Sequence, residues 1–311
     1  SQNIIDELTV TTDGYQANFH PGLKRLLSVD QVADIIVRNK LDGKRTILLG
    51  NNNYDTQFEV QVAEKSSFAK EISMAAGIRM DVSEATKKLT FEQTNQDDWV
   101  NVKHANLNGW TIVFKGVDNK NSSKLLTDQR FNKFGLTGCL NFYNSNFQNT
   151  TIEVVGGVCE DSLNIIKSTG KIDSVRVQSA FADALDIDFS NIFVKEVKVQ
   201  DAGNDCLDVS AGEYRFEKLK LSNCVDKGLS VGEGSKLFAK NLHLENSNIG
   251  VSSKDYSKVE ILSGYFENSN ICIEAKQKKQ EFGGAFLSIL DFDCEGQVLV
   301  DENSIFQKGS L

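Results

Sequence analysis

The chain almost lacks proline: Pro21 is the single one in 311 residues, where average usage of about 5% would supply roughly fifteen. It also lacks any apolar run near the ~18 residues that a membrane-spanning helix needs. Basic charge is not in excess, since 34 Lys and Arg face 43 Asp and Glu for a net charge of −9. A nucleic-acid binder neutralises phosphates with a basic face, so neither nucleic acid nor a membrane is an expected partner. The one knot of cations, Lys276, Lys278 and Lys279, reads as a solvated turn. Six cysteines are too few for a disulfide miniprotein. No C-x-x-C occurs and no His stands at ligand spacing, which argues against a zinc site. Residues 1–10 carry neither a basic stretch nor an apolar core, so no signal peptide is visible. There is no G-x-S-x-G elbow, and no P-loop or dinucleotide fingerprint between a strand and a helix. What is present, 40% hydrophobic and 25% charged residues, is a folded composition; disorder would show less apolar content.

An internal repeat accounts for the missing proline. Rows of 22 align six segments of the second half without a gap: EDSLNIIKS from Glu160, ADALDIDFS from Ala182, NDCLDVSAG from Asn204, DKGLSVGEG from Asp226, NIGVSSKDY from Asn248 and NICIEAKQK from Asn270. Leu163, Leu185, Leu207, Leu229, Val251 and Ile273 make one apolar column. Ile165, Ile187, Val209, Val231, Ser253 and Ala275 make a second, two residues on. A further block runs through Ile172, Val175 and Val177, then Val194, Val197 and Val199, then Phe216, Leu219 and Leu221, before slipping to Phe238, Leu242 and Leu244. Apolar residues two apart are strand spacing, and a row is shorter than the ~30 residues of a strand–helix–strand crossover. Leucine-rich repeats overlap this length, but their signature is absent. Each row therefore reads as one coil of a parallel β-helix, stacked about 4.8 Å from the next, with turns of Asn, Asp, Ser and Gly. One solenoid replaces the two domains that length alone suggests.

Upstream, Leu140-Asn141-Phe142 continues the pattern one residue out of register. Trp99 to Val102 and Trp110 to Phe114 read as earlier coils, their tryptophans packing rather than stacking on sugar. Residues 23–38 (LKRLLSVDQVADIIVR) carry helical spacing and are expected to form a short amphipathic helix over the open end. The expected organisation is an N-terminal cap and irregular first coils over 1–75, the parallel β-helix over 76–300 and a C-terminal cap or tail over 301–311. Stacking brings Cys139 near Cys159, Cys206 near Cys224 and Cys272 near Cys294. That spacing permits disulfides; thiols packed as small apolar groups satisfy it too, and free thiols are the expectation.

Side chains alternate along a strand, so the positions between the apolar columns point outward. One outward column is Asn164, Asp186, Asp208, Ser230, Ser252 and Glu274; the next holds Ile166, Asp188, Ser210, Gly232, Lys254 and Lys276. At the preceding bend stand Asp161, Asp183, Asp205 and then Lys227. Unit charges one coil apart repel by roughly 3 kcal/mol at an effective dielectric near 20. Stacked acids are tolerated when they share a proton, hold a cation or meet a lysine. Asp ladders at bends also cap backbone groups, a purely structural role.

In chain order the coils carry Ala182-Asp183-Ala184-Leu185-Asp186, Asn204-Asp205-Cys206, Asp226-Lys227-Gly228-Leu229-Ser230-Val231-Gly232 and Val251-Ser252-Ser253-Lys254. This series resembles that of the polygalacturonase family (glycoside hydrolase family 28), which carries N-T-D, D-D-C, G-H-G and R-x-K on successive coils. The resemblance covers residues 182–254 with the same spacing, and it implies an all-β fold, a right-handed parallel β-helix. Asp183 stands for the N-T-D aspartate, Asp205 for the second of the D-D pair and Lys254 for the last lysine. The chain departs where Asn204 replaces an acid, Lys227 stands at the histidine and Ser252 replaces the arginine. In that family the aspartates are acid and base, and the arginine and lysine hold the substrate's carboxylate. The resemblance implies a carbohydrate-binding groove more strongly than one reaction.

The expected function is that of a carbohydrate-active protein acting on a polysaccharide or oligosaccharide, with Asp183, Asp205, Lys227 and Lys254 as catalytic candidates. Asp161, Asn204, Asp208, Ser230 and Glu274 are the substrate-binding candidates. Inversion needs carboxyl groups about 6.5–9.5 Å apart, which Asp161 and Asp205, two coils apart, fit better than Asp183 and Asp205. A lyase would need Lys227 or Lys254 as base with a lowered pKa, helped by Ca2+ on Asp186, Asp188 and Asp208. The alternative outside enzymes is a non-catalytic β-helix: a glycan-binding, adhesin or phage or surface-fibre module. The fold class favours an extracellular or cell-surface setting. His20, His104 and His243 lie outside the acidic columns and are expected to be structural.

Overall fold

The computed structural model describes residues 66–118, 130–132 and 135–309, and the backbone of five short strands between residues 9 and 63. The described residues form an all-β parallel solenoid of about 9 turns with ~22 residues per turn, and no helix occurs among them. The helix expected over 23–38 lies outside the described residues, as does His20.

The apolar columns stack in the expected register. Leu163, Leu185, Leu207, Leu229, Val251 and Ile273 are successive partners, and each is fully buried. Leu140 joins this column opposite Leu163 across the one-residue offset. Burying each such side chain stabilises by about 1.5–3 kcal/mol, a contribution that every coil repeats. Trp99 and Trp110 are buried, with Trp110 packed 4.1 Å from the Phe68 ring. The slip after Phe216 has a local cause. One extra residue enters at the corner 233–235, so Phe216 pairs with Ala239 and Phe238 turns outward over Arg215, 5.0 Å away. A register shift between Cys224 and Lys227 restores the count.

Each coil has three faces, illustrated by Asp161–Ile166 on the first and by the long strand Thr169–Ala180, which spans the second and third. Two left-handed residues per coil bend the chain. Lys167, Phe189, Ala211, Glu233 and Asp255 occupy the first corner with φ of 49 to 56°; Ser179, Asp201, Asn223, Asn246 and Asn268 occupy the second with φ of 54 to 62°. Asn and Asp tolerate this region best, and at the second corner they also bond to one another. Asn223 donates to Asp201 at 2.7 Å, Asn246 to Asn223 at 2.9 Å and Asn268 to Asn246 at 3.0 Å. The first corner was not legible as a turn, because Lys, Phe and Ala are not turn formers. Serines beside it receive backbone N–H groups from the coil before: Ser145 donates to Ser168 at 3.0 Å and Ser168 to Ser190 at 2.9 Å.

The cysteines correct the sequence reading. The three expected neighbours are disulfides, Cys139–Cys159, Cys206–Cys224 and Cys272–Cys294, with Cα separations of 5.5, 5.4 and 6.2 Å. The rung spacing brings the pairs together, but whether each pair of Cβ vectors converges depends on local bends that the repeat does not encode.

At one end Glu71–Ala75 lies antiparallel on Val100–Lys103 and covers that sheet edge. At the other, Gln297–Val300 and Ile305–Lys308 add parallel rungs, so strand pairing continues into 301–311.

Candidate functional site

The first face gathers the sequence candidates. Asn164, Asp186, Asp208, Ser230, Ser252 and Glu274 are successive rung partners. Asp161 pairs with Asp183 one rung on. Asp183 accepts the Asp205 N–H at 2.8 Å and the Asn204 amide at 2.7 Å. Asp205 in turn accepts the Lys227 N–H at 3.0 Å and its ammonium at 3.3 Å. One oxygen of each aspartate thus caps the next coil, the structural role set beside the catalytic one. Asp161 accepts from Asn164 at 3.0 Å.

Charge on this face is divided along the solenoid. Towards the N-terminal coils the acids are crowded. Burial, then the charges of Asp205 and Asp161, pushes Asp183 up to about 8. Burial raises Asp205 to about 6, with Lys227 holding it back. Asp161 rises to about 7 through burial, opposed by a hydrogen bond from Thr137. Asp188 rises to about 6 through burial and the neighbouring Asp208. Asp186 is pushed well above the carboxylate range by burial and then by Asp161, Asp188 and Asp208. Asn164 Oδ1 and Asp208 Oδ1 are buried without a hydrogen-bond partner.

Towards the C-terminal coils Glu274 and Glu233 each meet a lysine. Glu274 accepts Ser252 at 2.6 Å and Lys276 at 2.8 Å, and against the pull of burial these bonds hold it below its ordinary value. Glu233 is held low in the same way by Lys279 and Ser210. The segment 277–285 folds back here, its Lys278 and Lys279 N–H groups bonding the fully buried Asp255 at 2.7 and 2.8 Å. Lys254 is only 6% exposed and donates to Ser230 at 2.7 Å.

Burial would lower the Lys227 ammonium, but Asp205 and Asp226 outweigh it and hold the group above its ordinary value, which suits a cation better than the base that a lyase needs. The lysine with a lowered pKa is Lys278, through the charge of Lys254 and then burial. It was set aside as part of a solvated turn, because segment 277–285 interrupts the period. Asp186, Asp188 and Asp208 were the calcium candidates; among the described residues no group of three His, Cys, Asp or Glu side chains is arranged to hold a metal ion. Glu233, Lys279 and the ion pair of Arg130 with Glu160 were also missed, since none of them stands in a repeated column of like residues. His104 stands at the first corner beside Tyr143, whose column runs through Ile166 to Asp188, and His243 lies on the third face beside Tyr265.

No family profile, curated protein or solved structure matches the chain.

Proposed function

We propose that the first face is a polysaccharide-processing groove in which Asp183 and Asp205 are the pair of catalytic carboxyls, on a β-helix that resembles the right-handed polygalacturonase-like ones. One observation carries this reading: these two carboxyls, one rung apart, are split, Asp183 at about 8 and Asp205 at about 6. At neutral pH the first keeps its proton and the second is ionised, the division that glycosidic cleavage requires. A rung step of about 4.8 Å is near the ~5 Å separation of retaining pairs and short of the inverting range. At such a separation Asp205 would act as nucleophile and Asp183 as acid and then base; a separate acid and base, working by inversion, would be Asp161 and Asp205, two rungs apart. Asn204 orients Asp183, and Lys227 orients Asp205. Asp208 and Glu274, half-buried members of the outward column, would meet the sugar, with the buried Ser230 and Lys254 behind them. Three disulfides support an oxidising, extracellular or cell-surface setting.

A second reading has its own support. Asp183 and Asp205 are only 4% and 3% exposed and each caps the next coil, which suits a non-catalytic glycan-binding module. Reducing-end and unsaturated-product assays on neutral and acidic polysaccharides separate the two. Expected are reducing ends from the unmutated protein and a loss of about 10²–10⁴-fold in Asp183→Asn and Asp205→Asn. Unsaturated products would favour a lyase; binding without any turnover would favour the module.

A further inference from the structure

The third face carries a different ladder. Arg176, Lys198, Lys220, His243 and Tyr265 are partners on five successive coils, all exposed. They run along a groove of about 810 Å³ lined by Lys198, Lys218, Lys220, His243, Tyr265 and Gln200 among others. A smaller groove of about 220 Å³ shares Lys198 and Gln200 and extends the track to Arg176. Four rung steps make it about 19 Å long. Glu245 is the one carboxylate lining the larger groove. Arg176 leans on Glu153 at 3.6 Å and Lys218 on Glu196 at 3.5 Å, but Lys198 and Lys220 have no ion pair among the described residues. Two stacked cations, Lys198 and Lys220, that their own protein does not neutralise, in a chain of net charge −9, suit a ligand that brings the counter-charge at regular intervals.

We propose that this groove binds a polyanionic polysaccharide along the stacking axis, one anionic sugar near each cationic rung. The rings of His243 and Tyr265, 5.2 Å apart, give one platform for a sugar ring, and Gln200 and Ser263 face its hydroxyls. Single-stranded nucleic acid fits less well, since it asks for aromatic rings at successive positions. The site goes beyond the reading of the first face and does not depend on it.

Equilibrium binding of the whole protein to dextran sulfate, polygalacturonate, neutral dextran and single-stranded DNA tests this. At least one anionic glycan should bind, roughly tenfold or more weakly at 200 than at 50 mM salt; comparing the two separates sulfate from carboxylate recognition. The Lys198→Glu/Lys220→Glu double variant should lose about tenfold or more with an unchanged melting curve. Lys236→Glu, on the second face, should bind as the unmutated protein does, whether or not the first face turns over substrate. Absence of binding to both anionic glycans, equal binding of neutral dextran, tighter binding of DNA, or an equal loss in Lys236→Glu would overturn the proposal.

Discussion

The first and third faces belong to the same coils, share the same rung spacing, and treat stacked charge in opposite ways. On the first, Asp161, Asp183, Asp186, Asp188 and Asp205 are pressed together where water is scarce, and protonation relieves them. On the third, Arg176, Lys198 and Lys220 stand in solvent, where salt and water screen them and the charge is kept. A solenoid places like positions one rung apart whatever occupies them. Burial then decides whether a ladder of charge becomes a set of titrating groups or a persistent electrostatic track.

The largest effect expected from that contrast is on stability against pH. Five first-face aspartates have folded pKa values raised above the unfolded value near 3.9, so the folded chain retains protons that the unfolded chain has released. Their stabilisation is complete below about pH 4 and is lost as pH rises through values of about 6 to 8. Each contributes a slope of up to about 1.4 kcal/mol per pH unit between about pH 4 and its own folded value. Urea midpoints should fall from pH 5 to pH 8, and Asp183→Asn should flatten the profile and be the more stable form at pH 8. Equal midpoints at the two pH values would remove burial as the explanation. Glu233 and Glu274, held low by their lysines, act in the other sense, losing stabilisation only as pH falls below about 4.5.

A middling effect is expected where the two charge signs meet inside one face. Lys254→Met leaves Ser230 without its donor and takes a cation from beside Asp205 and Glu233. It should cost about 1–3 kcal/mol and move the Asp205 titration further upward, which carboxyl chemical shifts would follow. An unmoved Asp205 would mean that the cation is screened from the acids. The smallest effect belongs to the third face. Lys198→Glu and Lys220→Glu should each change unfolding free energy by no more than about 0.5 kcal/mol, with no new pH dependence between 5 and 8. A larger change would show that this ladder, too, is sheltered from solvent.

Much of the first face was legible because its chemistry lies in columns. Asp183, Asp186, Asp205 and Asp208 repeat at the coil interval, so their stacking followed from the alignment. Lys278, Lys279 and the burial of Lys254 did not, because segment 277–285 stands outside the repeat and its position follows from the bonds to Asp255. The third-face ladder was hidden for another reason. Its rungs Lys220 and His243 are 23 residues apart, so rows of 22 misplace His243 until the extra corner residue is seen.

By itself the sequence determined the solenoid, its inward Leu, Ile and Val columns and the rows on which acids stack, because these follow from periodicity that each coil repeats. Only the tertiary structure decided that the cysteines are bonded, that Lys227 is ion-paired with Asp205 and Asp226, that the stacked acids are buried and that a cationic groove runs along another face. Those properties depend on burial, on bond directions at corners and on charges from other coils. All of these arise only when the coils are stacked.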